Sequence, residues 1–209
     1  MQQDLFSDVV DNTPAVLPMQ DAEVTYFPKF LDSQSADVHF TRLIGSLAWQ
    51  HEYLRIYGKR VKIPRLQAWY GDPEATYQYS GLNMLPRPWT KELDELKILC
   101  QKACNSNFNS VLANLYRNGL DSMGLHADNE AELGNNPVIA SISLGQTRDF
   151  NFIHNISKEK IRITLGHGSL LIMSGATQKN WQHSIAKSRQ AMSPRINLTF
   201  RRIIGERQL

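Results

Sequence analysis

Pro194-Arg195-Ile196-Asn197-Leu198-Thr199-Phe200-Arg201-Arg202 alternates polar and apolar residues from Arg195 to Arg201. Side chains on a β-strand point to opposite faces in turn. Arg195, Asn197, Thr199 and Arg201 therefore share one face, while Ile196, Leu198 and Phe200 share the other. A strand that gives three large apolar side chains to a core and turns two guanidiniums to one side needs something to meet those charges, because desolvating an unpaired cation is costly. Taken alone, the stretch has two readings: an amphipathic edge strand with a wetted polar face, or a strand whose arginines meet a small dicarboxylate.

Upstream lie six runs of similar length, Val111 to Tyr116, Val138 to Leu144, Asp149 to Ile153, Lys160 to Leu165, Ser169 to Met173 and Trp181 to Ile185, with turns such as Gly166-His167-Gly168 between them. Seven short strands at this spacing predict a sandwich, barrel or jelly roll. Further upstream the periodicity changes. Phe40, Leu43, Ile44 and Leu47 recur at helical spacing behind the polar residues Asp32 to Ser35. Thr90 can cap a second helix in which Leu93, Leu96, Cys100 and Ala103 form the buried stripe. Cys100 and Cys104 lie on one face of that helix at a spacing that matches no common zinc or redox motif, so they are expected to pack.

The 209 residues, 42% hydrophobic and 21% charged, suit one globular domain with a sizeable core. No apolar run approaches the length of a membrane span, and the start of the chain lacks the pattern of a signal peptide. An intracellular monomer without a membrane partner is expected. The expected division is a flexible tail over 1–20 and a single domain over 21–209. Dinucleotide, phosphate-loop and Gly-x-Ser-x-Gly motifs are missing, which removes the commonest nucleotide and hydrolase readings.

Between Tyr53 and Gly71 five basic residues and no acidic ones are interleaved with four aromatics. Phosphates can take such charges while bases stack on the rings, which suits a nucleic-acid surface. A hairpin with a basic solvated face is the competing reading. Tyr77 and Tyr79 of Thr76-Tyr77-Gln78-Tyr79-Ser80 would point the same way in an extended segment. His126 and Asp128 are also two apart, so in an extended segment both can face one interior point, and His183 in a later strand can complete a set of two imidazoles and a carboxylate. That is the facial triad of ferrous oxygenases. A His-x-Asp alone is common; its order before a string of strands, a distal His and an Arg-bearing strand is not.

Asn114-Leu115-Tyr116, His126-Ala127-Asp128, His183 and Arg195 to Arg201 together resemble the motif set of AlkB-type 2-oxoglutarate and iron(II)-dependent dioxygenases, over roughly residues 50–203. The resemblance implies a mixed α+β fold, with a double-stranded β-helix (jelly-roll) core at about 110–203, N-terminal helices, and a nucleotide-recognition lid of hairpins at about 50–88. It implies Fe(II) on His126, Asp128 and His183, with 2-oxoglutarate and O2 as co-substrates. Arg195 and Tyr116 would take the distal carboxylate of 2-oxoglutarate, and Asn114, Asn197, Thr199 and Arg201 would line the rest of its site.

The implied activity is oxidative demethylation of 1-methyladenine and 3-methylcytosine in DNA. By the same resemblance, Tyr57 of Ile56-Tyr57-Gly58-Lys59 would be a wedge that fills the gap left in duplex DNA. Tyr77, Tyr79 and Ser80 belong to a segment that would stack on the flipped base, and Glu130 would accept a hydrogen bond from its exocyclic amine. Asn129 departs from relatives that carry a second acid there, which puts base preference in doubt. An oxygenase of RNA or protein and a non-catalytic nucleic-acid-binding module stand as alternatives. Gln2-Gln3-Asp4-Leu5-Phe6 resembles the peptide by which bacterial repair proteins dock on the sliding clamp, although an arbitrary polar tail with two apolar residues would look the same. A DNA repair role implies the cytoplasm, near the nucleoid, in a bacterium and the nucleus in a eukaryote.

Overall fold

All seven strands expected from alternation form, at Ser110–Tyr116, Ile139–Gly145, Arg148–His154, Lys160–Leu165, Ser169–Ser174, Trp181–Ile185 and Arg195–Arg201. The computed structural model describes residues 3–4, 13–56, 58–75, 77–79 and 82–204, with the backbone alone at 3–4, 54–56, 77–79 and 82–84. The strands divide between two sheets. The larger runs Ala15–Val16, Glu23–Phe27, Ser169–Ser174, Ile139–Gly145, Arg195–Arg201, Ser110–Tyr116, Lys59–Gly71, Gln50–Ile56. The smaller runs Gln3–Asp4, Lys160–Leu165, Arg148–His154, Trp181–Ile185, Met123–His126, antiparallel except at Gln3–Asp4. Antiparallel sheets packed face to face make the expected jelly roll.

The alternation read in Arg195–Arg201 divides the layers. Ile196, Leu198 and Phe200, with Val111, Ala113 and Leu115, and with Ala140, Ile142 and Leu144, form the outer face of the large sheet. Two helices cover it, Ser33–Ser46 through Ala36 and Leu43, and Lys91–Cys104 through Leu93, Leu96 and Cys100. Asp32 and Thr90 cap these helices, accepting from the backbone of Ser35 at 2.8 Å and Leu93 at 3.3 Å. Each cap is worth about 1 kcal/mol. The stripe on the second helix ends at Cys104, because Ala103 turns to solvent. The inner face packs Tyr116, Ile139, Leu171 and Met173 against Phe150, Phe152, Ile161, Ile163 and Ile185 of the small sheet.

Two expectations are corrected. The tail does not extend over 1–20: Ala15–Val16 pairs with Glu23–Phe27, Leu17 and Met19 enter the inner core, and Trp181 Nε1 donates to Gln20 O at 2.8 Å. These pieces are too short to show a period and are ordered by what they bury. Nor is 50–88 wholly a lid. Lys59, Arg60 and Lys62 are exposed, but from Leu66 to Gly71 the same strand lies against Ser110–Tyr116 and is a member of the large sheet. The suggested clamp peptide at 2–6 lies outside the described residues save for the backbone of Gln3–Asp4, which pairs in parallel with Ile161 and Arg162.

Candidate active site

Pairing of Met123–His126 with Trp181–Ile185 sets His126 opposite His183, with ring centroids 4.3 Å apart. Asp128 follows two residues later. One donor atom from each of His126, Asp128 and His183 lies within 4.8 Å of the others, as the spacing had predicted. His126 Nδ1 is 3.0 Å from Gly124 O. A carbonyl can only accept, so Nδ1 carries the proton and Nε2 keeps its lone pair for a metal.

His183 is buried, with its ring stacked on Phe150 at 5.1 Å. Burial pushes its pKa down to about 3, helped by the charges of His126 and Arg201 and opposed by Asp128. The imidazole is neutral at physiological pH, the form that binds metals. Burial would raise the Asp128 carboxyl, but Arg201, with smaller contributions from His183 and His126, outweighs it and holds the group below its usual value. Arg201 Nη2 donates to Asp128 Oδ1 at 2.8 Å, and the Asp128 backbone N–H donates to Gln178 Oε1 at 2.9 Å. Two imidazoles and a carboxylate fit iron(II).

The Arg195–Arg201 strand faces this cluster with its polar side. Register pairs Arg195 with Tyr116 and Asn197 with Asn114 on one flank, and Asn197 with Ser143 on the other. Arg195 is only 1% exposed. Its Nη2 donates to Ser143 Oγ at 2.9 Å, while Nε and Nη1 make no well-formed hydrogen bond among the described residues. Burial pulls its pKa below the usual arginine value, opposed by Tyr116, whose ring centroid lies 5.1 Å from the guanidinium. The Tyr116 hydroxyl and Asn114 Nδ2 are likewise buried without a well-formed hydrogen bond among the described residues. Buried orphan donors are rare and ask for an acceptor. Together with two guanidinium nitrogens they fit a carboxylate of 2-oxoglutarate.

Asn197 and Thr199 are occupied instead. Asn197 Nδ2 donates to Ser141 Oγ at 2.8 Å and Ile142 O at 3.2 Å, and its oxygen accepts from Thr199 at 3.0 Å. They tie the strand to its neighbour and leave Asn197 no free donor. Asn129 is exposed; Glu130 is half-buried and has a buried Oε2 without a partner among the described residues. Tyr57 and Ser80 lie outside the described residues, as do the side chains of Tyr77 and Tyr79, whose backbone pairs with Leu82–Met84.

Several side chains at the site escaped the sequence reading. Arg65, read there as part of a basic surface, is buried and bonded to Asn114 Oδ1 at 2.7 Å; Gln67 bonds the same oxygen at 2.9 Å. The alternation of Arg65 and Gln67 with Leu66 and Ala68 was the available signal. Ser141, Ser143 and Gln178 gave none, being ordinary residues in a strand and a one-turn helix. Trp181 packs on Phe152 and His154 rather than lining the site. Arg148 and Asp149 do not pair: neighbours on a strand face opposite ways, and Arg148 turns inward to the carbonyls of Asn118, Asp121 and Ala186.

The sequence model of the 2OG-Fe(II) oxygenase superfamily matches residues 23–201. The chain belongs to this superfamily. Among curated proteins, the oxygenase is 40% identical over 159 residues to DNA oxidative demethylase ALKBH2 of Mus musculus, covering 72% of this chain and 66% of the relative. It is 39% identical over 192 residues to alpha-ketoglutarate-dependent dioxygenase alkB homolog 3 of Homo sapiens, covering 87% and 66%. The AlkB-type resemblance of the motifs is thereby borne out. The chain spans 66% of the mouse ALKBH2 and 61% of the human one. The solved structure of OsALKBH1 shares the fold, with a TM-score of 0.61 at 19% identity over 86% of this chain and 97% of that one.

Proposed function

We propose that this oxygenase removes methyl groups from 1-methyladenine and 3-methylcytosine in DNA, at the expense of O2 and 2-oxoglutarate. The observation that carries the reading is the meeting of His126, Asp128 and His183 with a buried Arg195, on the facing strand, that has no carboxylate partner among the described residues. Relatives named DNA oxidative demethylase give the substrate class. Iron held by His126, Asp128 and His183 would supply the redox chemistry, in which one oxygen atom of O2 goes into succinate as 2-oxoglutarate loses CO2 and the other into a C–H bond of the N-methyl group. The resulting N–CH2OH loses formaldehyde, leaving N–H on the base.

The chain's own residues orient the reactants. Arg195 holds the far carboxylate, and Arg201 keeps Asp128 ionised. Glu130 offers its unpaired oxygen to the exocyclic amine of a flipped adenine or cytosine. Flipping costs a few kcal/mol and is easiest at a damaged pair. Exposed Lys59, Arg60 and Lys62 beside Gly58 at the hairpin tip are placed to meet phosphates. Action on double-stranded DNA with Tyr57 as the wedge, by a monomer located where the cell keeps its DNA, is part of the proposed reading. Docking of residues 2–6 on a sliding clamp belongs to the same reading.

The test is an assay with iron(II), 2-oxoglutarate and methylated oligonucleotides, in duplex and single strands and in RNA. Equal yields of succinate, formaldehyde and repaired base on DNA are expected. Turnover stimulated only by RNA, or by no nucleic acid, would overturn the proposal.

A further inference from the structure

Asn114 is fully buried, and its side-chain oxygen accepts from Arg65 Nε at 2.7 Å and from Gln67 Nε2 at 2.9 Å. A side-chain amide can turn over with little change of shape, exchanging its donor for its acceptor. Here the turn is blocked. A guanidinium has no lone pair, so the atom that faces Arg65 must be the oxygen. The Asn114 Nδ2 is thereby committed to the other side, where it has no partner among the described residues.

Arg65 is itself 7% exposed and has no carboxylate partner among the described residues. Its Nη1 donates to Ser122 O at 3.2 Å, and Ser122 N donates back to Pro64 O at 3.0 Å. Met123, the next residue, opens the strand that ends in His126. A buried cation without a counter-ion is costly to a fold. Gln67, Asn114, Asn197 and Ser143 stand in one row across four strands, so the amide fixed by Arg65 belongs to the same polar row as the Arg195 strand.

We propose that Arg65, seconded by Gln67, is a positioning residue for the co-substrate: it locks the Asn114 amide with its N–H2 toward 2-oxoglutarate, and it ties that contact to the strand bearing His126. The inference rests on the 2-oxoglutarate site proposed above. Arg65 acts only through Asn114, which makes its effect separable from direct contact.

The experiment is calorimetric titration of 2-oxoglutarate into the 209-residue protein loaded with Mn(II), which needs no turnover. Arg65→Met is expected to raise Kd about tenfold. In an Asn114→Ala background the same substitution should change Kd less than about twofold, because a residue acting through another adds nothing once that other is gone. Arg65→Lys, which keeps the charge but not the fixed fork, should fall between wild type and Arg65→Met. An unchanged Kd in Arg65→Met, or an equal loss in both backgrounds, overturns the proposal. If Arg65→Met does not fold, Gln67→Met and Asn114→Ala run the same cycle and decide it by the same criteria. Failure of the wild-type protein to bind 2-oxoglutarate with Mn(II) counts against the proposed function rather than against the role of Arg65.

Discussion

The two faces of the large sheet are cut from the same strands by alternate residues. Outward, Leu198 and its neighbours are apolar and sealed under helices. Inward, one residue along, stand Arg195, Asn197, Thr199 and Arg201, also buried but polar throughout. Burial means opposite things on the two sides. On the outer face it removes apolar surface from water and stabilises the fold; on the inner face it strips water from charges and sharpens the electric field that fixes Asp128 and His183 in their ionisation states. A register slip of one residue would exchange the faces, so strand pairing protects both stability and chemistry.

That contrast can be broken from either side. Replacing His126 by Ala should reduce metal binding and succinate release to background while moving the urea midpoint little, since its side chain is 33% exposed. A large loss of stability in that variant would erase the distinction. On the outer face Leu198→Ala should cost about 2–5 kcal/mol in urea unfolding. It should leave the 2-oxoglutarate affinity of the folded protein unchanged, and an altered affinity would mean that the faces are coupled. Arg195→Lys keeps the charge but loses the bidentate fork, so the 2-oxoglutarate concentration for half-maximal rate should rise about tenfold with a maximal rate close to wild type. An unchanged requirement would return Arg195 to an ordinary polar strand residue.

The smallest effect concerns pH in the metal-free protein. His183 has a folded pKa of about 3 against an ordinary 6.5. The unfolded chain therefore binds a proton that the folded one refuses. This contribution to stability is fully present above about 6.5 and is lost as pH falls toward 3, and the lowered Asp128 adds a loss of the same sign below its ordinary 3.8. The thermal midpoint should fall on acidification, less steeply in His183→Gln; equal slopes would assign the pH response elsewhere.

Much of the strand framework was legible because alternation in strands such as Arg195–Arg201 records which side is covered. The helix cap at Thr90 was legible for the same local reason, whereas Asp32 stood out only as the start of the polar run before the first helix. Leu17 and Met19 were not, since the cluster that buries them is completed by strands more than a hundred residues away. Arg65 was misread because Lys59–Gly71 passes from solvent into the sheet partway along, and charge counted over a window does not register such a crossing. His126, Asp128 and His183 were recoverable through their order and chemistry. The residues that steady them, Gln178 above all, are common types whose importance comes only from the atom they touch.

His126 and His183 also differ in how their strands are held. Trp181–Ile185 has a neighbour on each side, whereas Met123–His126 is four residues at the edge of the small sheet, joined to it across an irregular register. In hydrogen exchange, amides of such an edge open at lower free energy than those of an interior strand. A metal ion held by His126 and His183 would tie the looser strand to the firmer one. Loading the site should therefore slow amide exchange most at 123–126, so that the ion acts there as the second neighbouring strand that this segment lacks among the described residues.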